Sequence, residues 1–236
     1  MASKIFELPD IGMVRVTKRS GSRNLRISIS AAGEVKVNIP SWAPYQQGVD
    51  FALSKADWIL HHVPDKPAPL QEGDRIGKTH RLRFVSAAID SPTARTYGTE
   101  IRVTKPNGVA TSRADVQKAA HRASIRALRS QAESLLPQRL RTLAERYGFE
   151  YGSVSIRQLK GRWGSCDNKQ NIVLNLFLMQ LPWELIDYVL IHELTHTKHL
   201  NHGADFWDEF TSHMPDAKAL RTRIHARKPI LQPSAA

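Results

Sequence analysis

Residues 192–207 read HELTHTKHLNHGADFW, four histidines within eleven residues, and they follow the apolar run WELIDYVLI. In that run Leu185, Ile186, Val189 and Leu190 fall on one stripe, which predicts a buried helix starting around Pro182. His192 and His196 are four apart, so they lie one turn apart on one face, where two imidazoles can share one small ion. Glu193 stands beside that face without having to act as a ligand. Burying two histidines and a carboxyl without partners would cost on the order of several kcal/mol, and a metal satisfies them together. The third ligand then decides how the chain must turn. On a continuous helix His199 would lie about 10.5 Å beyond His192 along the axis, at about 1.5 Å per residue. That is too far for one ion. Asn201 and Gly203 suit a helix end, so a helix stopping near Leu200 would let the following turn bring His202 back to the site. His199 is then expected at the surface or behind the ligands.

Three neutral histidines leave a fourth position open, the arrangement of catalytic rather than structural zinc. The expectation is therefore Zn2+ held by His192, His196 and His202, with Glu193 as general base toward water and amide hydrolysis as the outcome.

The longer stretch RWGSCDNKQNIVLNLFLMQLPWELIDYVLIHELTHTKHLNHGADFW, residues 162–207, resembles the signature of the YgjP-like zinc metallopeptidases, relatives of the SprT and WLM groups. In that signature W-G-S-C and L-N precede H-E-L-x-H and then N-H-x-x-x-F-W. RNLRISISAAGEVKVNIP resembles the N-terminal part of the same family more weakly. The resemblance implies a zincin-like core with His192, His196 and His202 as ligands and Glu193 as catalytic residue. Gly203 stands where relatives often have serine, which leaves the ligand in place and changes its surroundings.

The rest of the chain predicts an α+β protein. VRVTKR, LRISIS and VKVNIP alternate apolar and polar positions with period two, with a turn expected at Ala32-Gly33. PYQQGVDFALSKADWILHHV reads as one helix with Phe51, Ile59 and Trp58 as inward candidates, and PDKPAPLQEGD as an extended linker. HRLRFVS and EIRVT add strands. PNGVATS, with Ser112 as a cap, marks the expected boundary between a β-rich region with one helix, residues 1–108, and a zincin-like domain, residues 109–236. A helix is expected from Arg113 to Tyr147, kinked or broken before Pro137 and ended by Gly148. VSIRQL and NIVLNLFLM read as strands, the second a candidate edge for an extended substrate or a plain core strand. Arg162, Tyr147, Tyr151 and Tyr188 are all candidates to stabilise an oxyanion, and sequence does not choose among them. Cys166 reads as a small buried residue, since three histidines already complete a ligand set.

The 34 Lys and Arg against 22 Asp and Glu give +12. Lys118, Arg122, Arg126 and Arg129 form one face of the long helix, either solvated or open to DNA or another polyanion. Pro182, Glu184 and Asp187 interrupt the most apolar region, so no membrane span is expected. The start shows no secretory pattern and there is a single cysteine, which together predict a cytoplasmic protein. A zinc peptidase acting on protein or peptide is the leading expectation. The alternatives are a nucleic-acid-associated protein with a vestigial or regulatory zinc site, and a zinc amidase acting on a small substrate. Oligomeric state is not encoded in any motif.

Overall fold

Alternation with period two forms the first sheet. In the computed structural model, which describes residues 2–30, 33–62 and 68–232, the strands are β1 (Ser3–Leu8), β2 (Gly12–Arg19), β3 (Arg26–Ile29) and β4 (Val35–Pro40). Val14 and Val16 of β2 and Val35, Val37 and Ile39 of β4 point to one buried face, because successive side chains of a strand alternate sides. The sheet order is β1-β2-β4-β3, with β2 and β4 parallel and the outer pairs antiparallel. α1 (Tyr45–Leu53) and α2 (Ala56–His62) follow. The single helix expected here is thus two. Ser54 ends the first, its hydroxyl donating to the Phe51 carbonyl at 2.9 Å. Ile59 is buried as expected, Phe51 is half-buried, and Trp58 faces solvent. Ala32 of the expected turn, and residues 63–67 with the start of the expected linker, lie outside the described residues.

The chain divides into two compact units, Met1–Ala68 and Pro69–Ala236. This places the division earlier than the expected one after residue 108. The cause is a second four-stranded sheet of β5 (Arg75–Ile76), β6 (His80–Ala87), β7 (Thr93–Tyr97) and β8 (Glu100–Pro106), in the order β5-β6-β8-β7. Its buried Ile76, Leu82, Ile101 and Val103 share one core with α3 (Ala114–Tyr147), so it belongs to the second unit. Gln117 ties the segment before β5 to α3, its Nε2 donating to the Leu70 carbonyl at 2.9 Å while its Oε1 accepts from the Leu70 amide at 2.8 Å.

α3 runs on through Pro137 without the expected break. Proline inside a helix costs about 3 kcal/mol. Leu136 and Leu140 on either side are fully buried and offset that cost. Ser112 does not cap the helix; Arg113 holds the N-cap position with no side-chain cap. Gly148 ends it as expected, in a left-handed conformation (φ 69°) that suits glycine. β9 (Val154–Arg157), β10 (Gly164–Cys166) and β11 (Ile172–Asn175) form a third sheet in the order β10-β11-β9.

NIVLNLFLM is only partly strand. β11 stops at Asn175, and Leu176–Gln180 coils into a 3-10 helix. Asn175 causes the change. Fully buried, it accepts from the Phe177 amide at 3.2 Å and donates Nδ2 to the carbonyls of Leu159 (3.0 Å) and Arg162 (2.8 Å). α4 (Trp183–Thr195), α5 (Ala204–His213) and α6 (Ala217–His225) complete the unit. A bidentate ion pair joins α3 to α4, Arg139 Nε and Nη2 donating to Asp187 at 2.8 and 2.6 Å. Among the described residues no helix is long and apolar enough to cross a membrane.

Candidate metal centre

α4 is buried along most of its length, which puts its last turn, with His192 and Glu193, at the edge of the core. It ends at Thr195, about one turn before the expected stop, with His196 as its C-cap. Two threonines account for the early end. Thr195 Oγ1 donates to the Ile191 carbonyl and Thr197 Oγ1 to the Leu194 carbonyl, each at 2.8 Å, while the Thr197 amide closes a tight turn onto Leu194 at 2.9 Å. Such side-chain bonds to the carbonyls of the last turn compete with continuation of the helix.

Residues 196–203 then loop back, and the ring nitrogens of His192, His196 and His202 come to lie within 4.8 Å of one another. Phe206, fully buried on α5, lies under all three imidazoles, with centroids 5.0, 4.7 and 4.7 Å from His192, His196 and His202. His199 stays out of the group. The helix ended before it, and its ring turns to Glu209 of α5 at 2.9 Å.

The protonation states suit a cation. His196 Nδ1 lies 2.9 Å from the His199 carbonyl; a carbonyl only accepts, so Nδ1 carries the proton and a neutral ring presents the Nε2 lone pair. The Nε2 atoms of His192 and His202 are 3.1 Å apart. Burial, reinforced by His196, His202 and Arg221, pushes His192 down to about 3, so that ring is uncharged at neutral pH. His196 is also lowered, chiefly by burial. Three imidazoles converging at this spacing fit a shared metal ion. His192 Nδ1 is buried without a hydrogen-bond partner among the described residues, so on that side of the ring packing sets its orientation.

Glu193 is 5% exposed. Burial raises its carboxyl to about 8, against the opposing pull of the Arg162 guanidinium. Gly164 of β10 lies directly against it: a β-carbon at 164 would stand 2.6 Å from Glu193 Oε1. β10 is therefore the strand beside the site and lies at the sheet edge, whereas β11, open in sequence between an edge and a core strand, is central. Cys166 is not part of the histidine group, and burial followed by Glu193 and Asp167 pushes its thiol up to about 11.

Of the tyrosines, only Tyr188 reaches the histidines, its buried ring stacked 6.3 Å from His192. Tyr147 instead packs on His213, and Tyr151 lines the core. On α3, Lys118, Arg122 and Arg126 are exposed and Arg129 half-buried, and Arg126 donates to the Ala94 carbonyl at 3.3 Å. Sequence reasoning missed Gly164, Phe206 and Glu209. Phe206 carried a usable signal, the F-W pair four residues after His202.

A family model described as "YgjP-like, metallopeptidase domain" matches residues 23–227. Two solved structures are similar over part of the chain. The metallopeptidase zymogen abylysin of Pyrococcus abyssi is 30% identical, over 39% of this chain and 93% of that one, with a TM-score of 0.36. The metallopeptidase zymogen jannalysin of Methanocaldococcus jannaschii is 19% identical, over 43% and 94%, with a TM-score of 0.34. No curated protein matches.

Proposed function

Since the chain belongs to the YgjP-like metallopeptidase family, we propose that it is a zinc-dependent peptidase in which His192, His196 and His202 hold the ion and Glu193 is the general base. The observation that carries this reading is the convergence of three imidazoles, with the buried carboxyl of Glu193 next in sequence to the first of them. A zinc ion bound there would lower the pKa of a water and polarise a carbonyl. The protein's own groups do the rest. Glu193, desolvated and so a stronger base than an exposed carboxylate, takes a proton near neutral pH and returns it to the leaving amine. Arg162, the one charge that opposes burial at Glu193, keeps its ionised form accessible and is the better placed of the oxyanion candidates together with Tyr188. β10 pairs with β11 along one side only, and an extended peptide can add to its other side, which would present a backbone carbonyl beside Glu193. Substrates are accordingly proteins or peptides in extended form.

Metal analysis with a proteolysis assay on wild type and Glu193→Gln tests this. Wild type is expected to bind one zinc and hydrolyse an unfolded protein substrate; Glu193→Gln keeps the zinc and loses about 10²–10⁴-fold in kcat. A wild type that binds no zinc, or a Glu193→Gln enzyme of full activity, defeats the proposal. A zinc-loaded wild type without hydrolysis would favour a vestigial site.

A further inference from the structure

His202 sits in a loop, residues 196–203, and not on a regular element. A loop ligand is held in place only if something fastens the loop, because ordering each free residue costs about 1–2 kcal/mol in backbone entropy. We propose that Glu209 is that fastening: a positioning residue whose carboxylate, from α5, grips two consecutive loop residues and so pre-forms the metal site. This rests on the proposal that the three histidines are the ligands.

The contacts are specific. Glu209 Oε2 accepts from His199 Nε2 at 2.9 Å and Oε1 from Lys198 Nζ at 2.6 Å. Oε1 also lies 3.7 Å from His213 Nε2, one turn further along α5. The grip is braced by aromatic packing: His213 lies against Tyr147 at 4.7 Å and edge-on to Phe149 at 5.3 Å, and Lys198 Nζ sits 4.5 Å over the Phe149 ring. The hydrogen bond from Lys198, with His199 adding to it, holds the Glu209 carboxyl below its ordinary range, so it is charged at neutral pH.

The line to the ligands is short. Glu209 fixes the His199 residue, and the carbonyl of that same residue accepts from His196 Nδ1. That bond sets which tautomer His196 presents and how its ring points. His202 follows three residues on, where the loop returns to α5. Glu209 thus reaches one ligand through the His199 carbonyl and the other through the course of the loop. His192, set by α4 and packing, is independent of it. Glu209 makes no contact with the three histidines' ligand nitrogens and takes no part in the reaction.

The test is zinc affinity by competition with a chromophoric chelator, together with the visible absorption of the cobalt-substituted protein, for wild type, Glu209→Ala, Glu209→Gln and Asp187→Asn. Glu209→Ala is expected to weaken zinc by 10–100-fold and to alter the cobalt bands, since a supporting group behind a ligand is worth about that much. Glu209→Gln, which keeps one acceptor at the same reach, loses less. Asp187→Asn removes an ion pair elsewhere on α4 and lowers thermal stability while leaving the affinity and the cobalt bands as in wild type. If Glu209→Ala does not fold, His199→Leu removes the His199 half of the grip from the loop side, leaving Lys198 in place, and must weaken zinc by more than twofold. Zinc affinity within twofold of wild type in a folded Glu209→Ala or His199→Leu protein overturns the inference while leaving the ligand assignment intact. A wild type that binds no zinc overturns both, and is read separately.

Discussion

Replacing Gly164 with alanine tests how closely β10 and Glu193 are fitted. The new methyl group would stand 2.6 Å from Glu193 Oε1 and 2.9 Å from both Cδ and Cγ. Ordinary contact begins at 3.4 Å, so the carboxyl must retreat by the difference between 2.6 and 3.4 Å, about 0.8 Å. The backbone at 164 is not in the left-handed region, so alanine brings no conformational strain of its own. The effect falls on Glu193. The carboxyl is buried, and a displacement near 1 Å at a reacting group can cost about 10²-fold in rate. Expected values for zinc-loaded Gly164→Ala are kcat lowered about 30- to 100-fold, about 2–2.8 kcal/mol in barrier at about 1.4 kcal/mol per tenfold, with zinc affinity unchanged because no ligand moves. A double-mutant cycle on an unfolded protein substrate makes the assignment. On a Glu193→Gln background the alanine should cost little more, since both changes disable one group. Equal fractional losses on both backgrounds, or wild-type kcat in Gly164→Ala, would refute the reasoning.

Two further outcomes follow from the burial of the site. In metal-free protein Glu193 titrates near 8 rather than near 4.5, so the folded state binds the extra proton and stability falls as pH rises through that window. Chemical unfolding of the apo protein should show wild type losing relative to Glu193→Gln between pH 5 and pH 8, by roughly 4 kcal/mol at most; parallel pH profiles would mean that Glu193 ionises freely. Phe206→Ala removes the ring beneath all three histidines and opens a cavity, at a cost of about 3–5 kcal/mol in stability, read by denaturant unfolding, together with weaker zinc binding. Unaltered zinc affinity in a folded Phe206→Ala protein would remove that ring from the support of the site.

Where one periodicity dominated, local structure was legible: β2, β4, β6 and β8 each contain an alternating apolar–polar stretch, and the stripe on α4 gave its position and burial. The grouping of His192 with His196 follows from helical spacing alone. β1, β5, β7 and the three-residue β10 were not legible. β5 is two residues long, and β1 and β7 lie at sheet edges, where one face is mostly exposed and the pattern fades. In NIVLNLFLM every position but the asparagines is apolar, so hydrophobicity could not separate strand from 3-10 helix. Asn175, polar in the middle of an apolar run, was the available sign that the backbone needed a side chain there. The end of α4 was misplaced because threonine hydroxyls, and not the glycine further on, bond the carbonyls of its last turn. Glu209 left no sign at all. On α5 it is one acidic residue among several, and only the return of the loop onto that helix gives it partners.

Ten positions separate His192 from His202, and Glu209 follows seven later, so the ligands and the clamp occupy one short contiguous segment. Closing so short a loop costs little chain entropy, and contacts this local form early in folding. The metal-binding half of the centre can therefore assemble as soon as α4 and α5 meet. Gly164 stands 29 positions before Glu193. Its arrival belongs to a slower event, the docking of the third sheet. Zinc capture and the completed fit around the base are thus separable in time, and a refolding experiment that follows cobalt absorption and proteolytic activity together should see the first rise before the second.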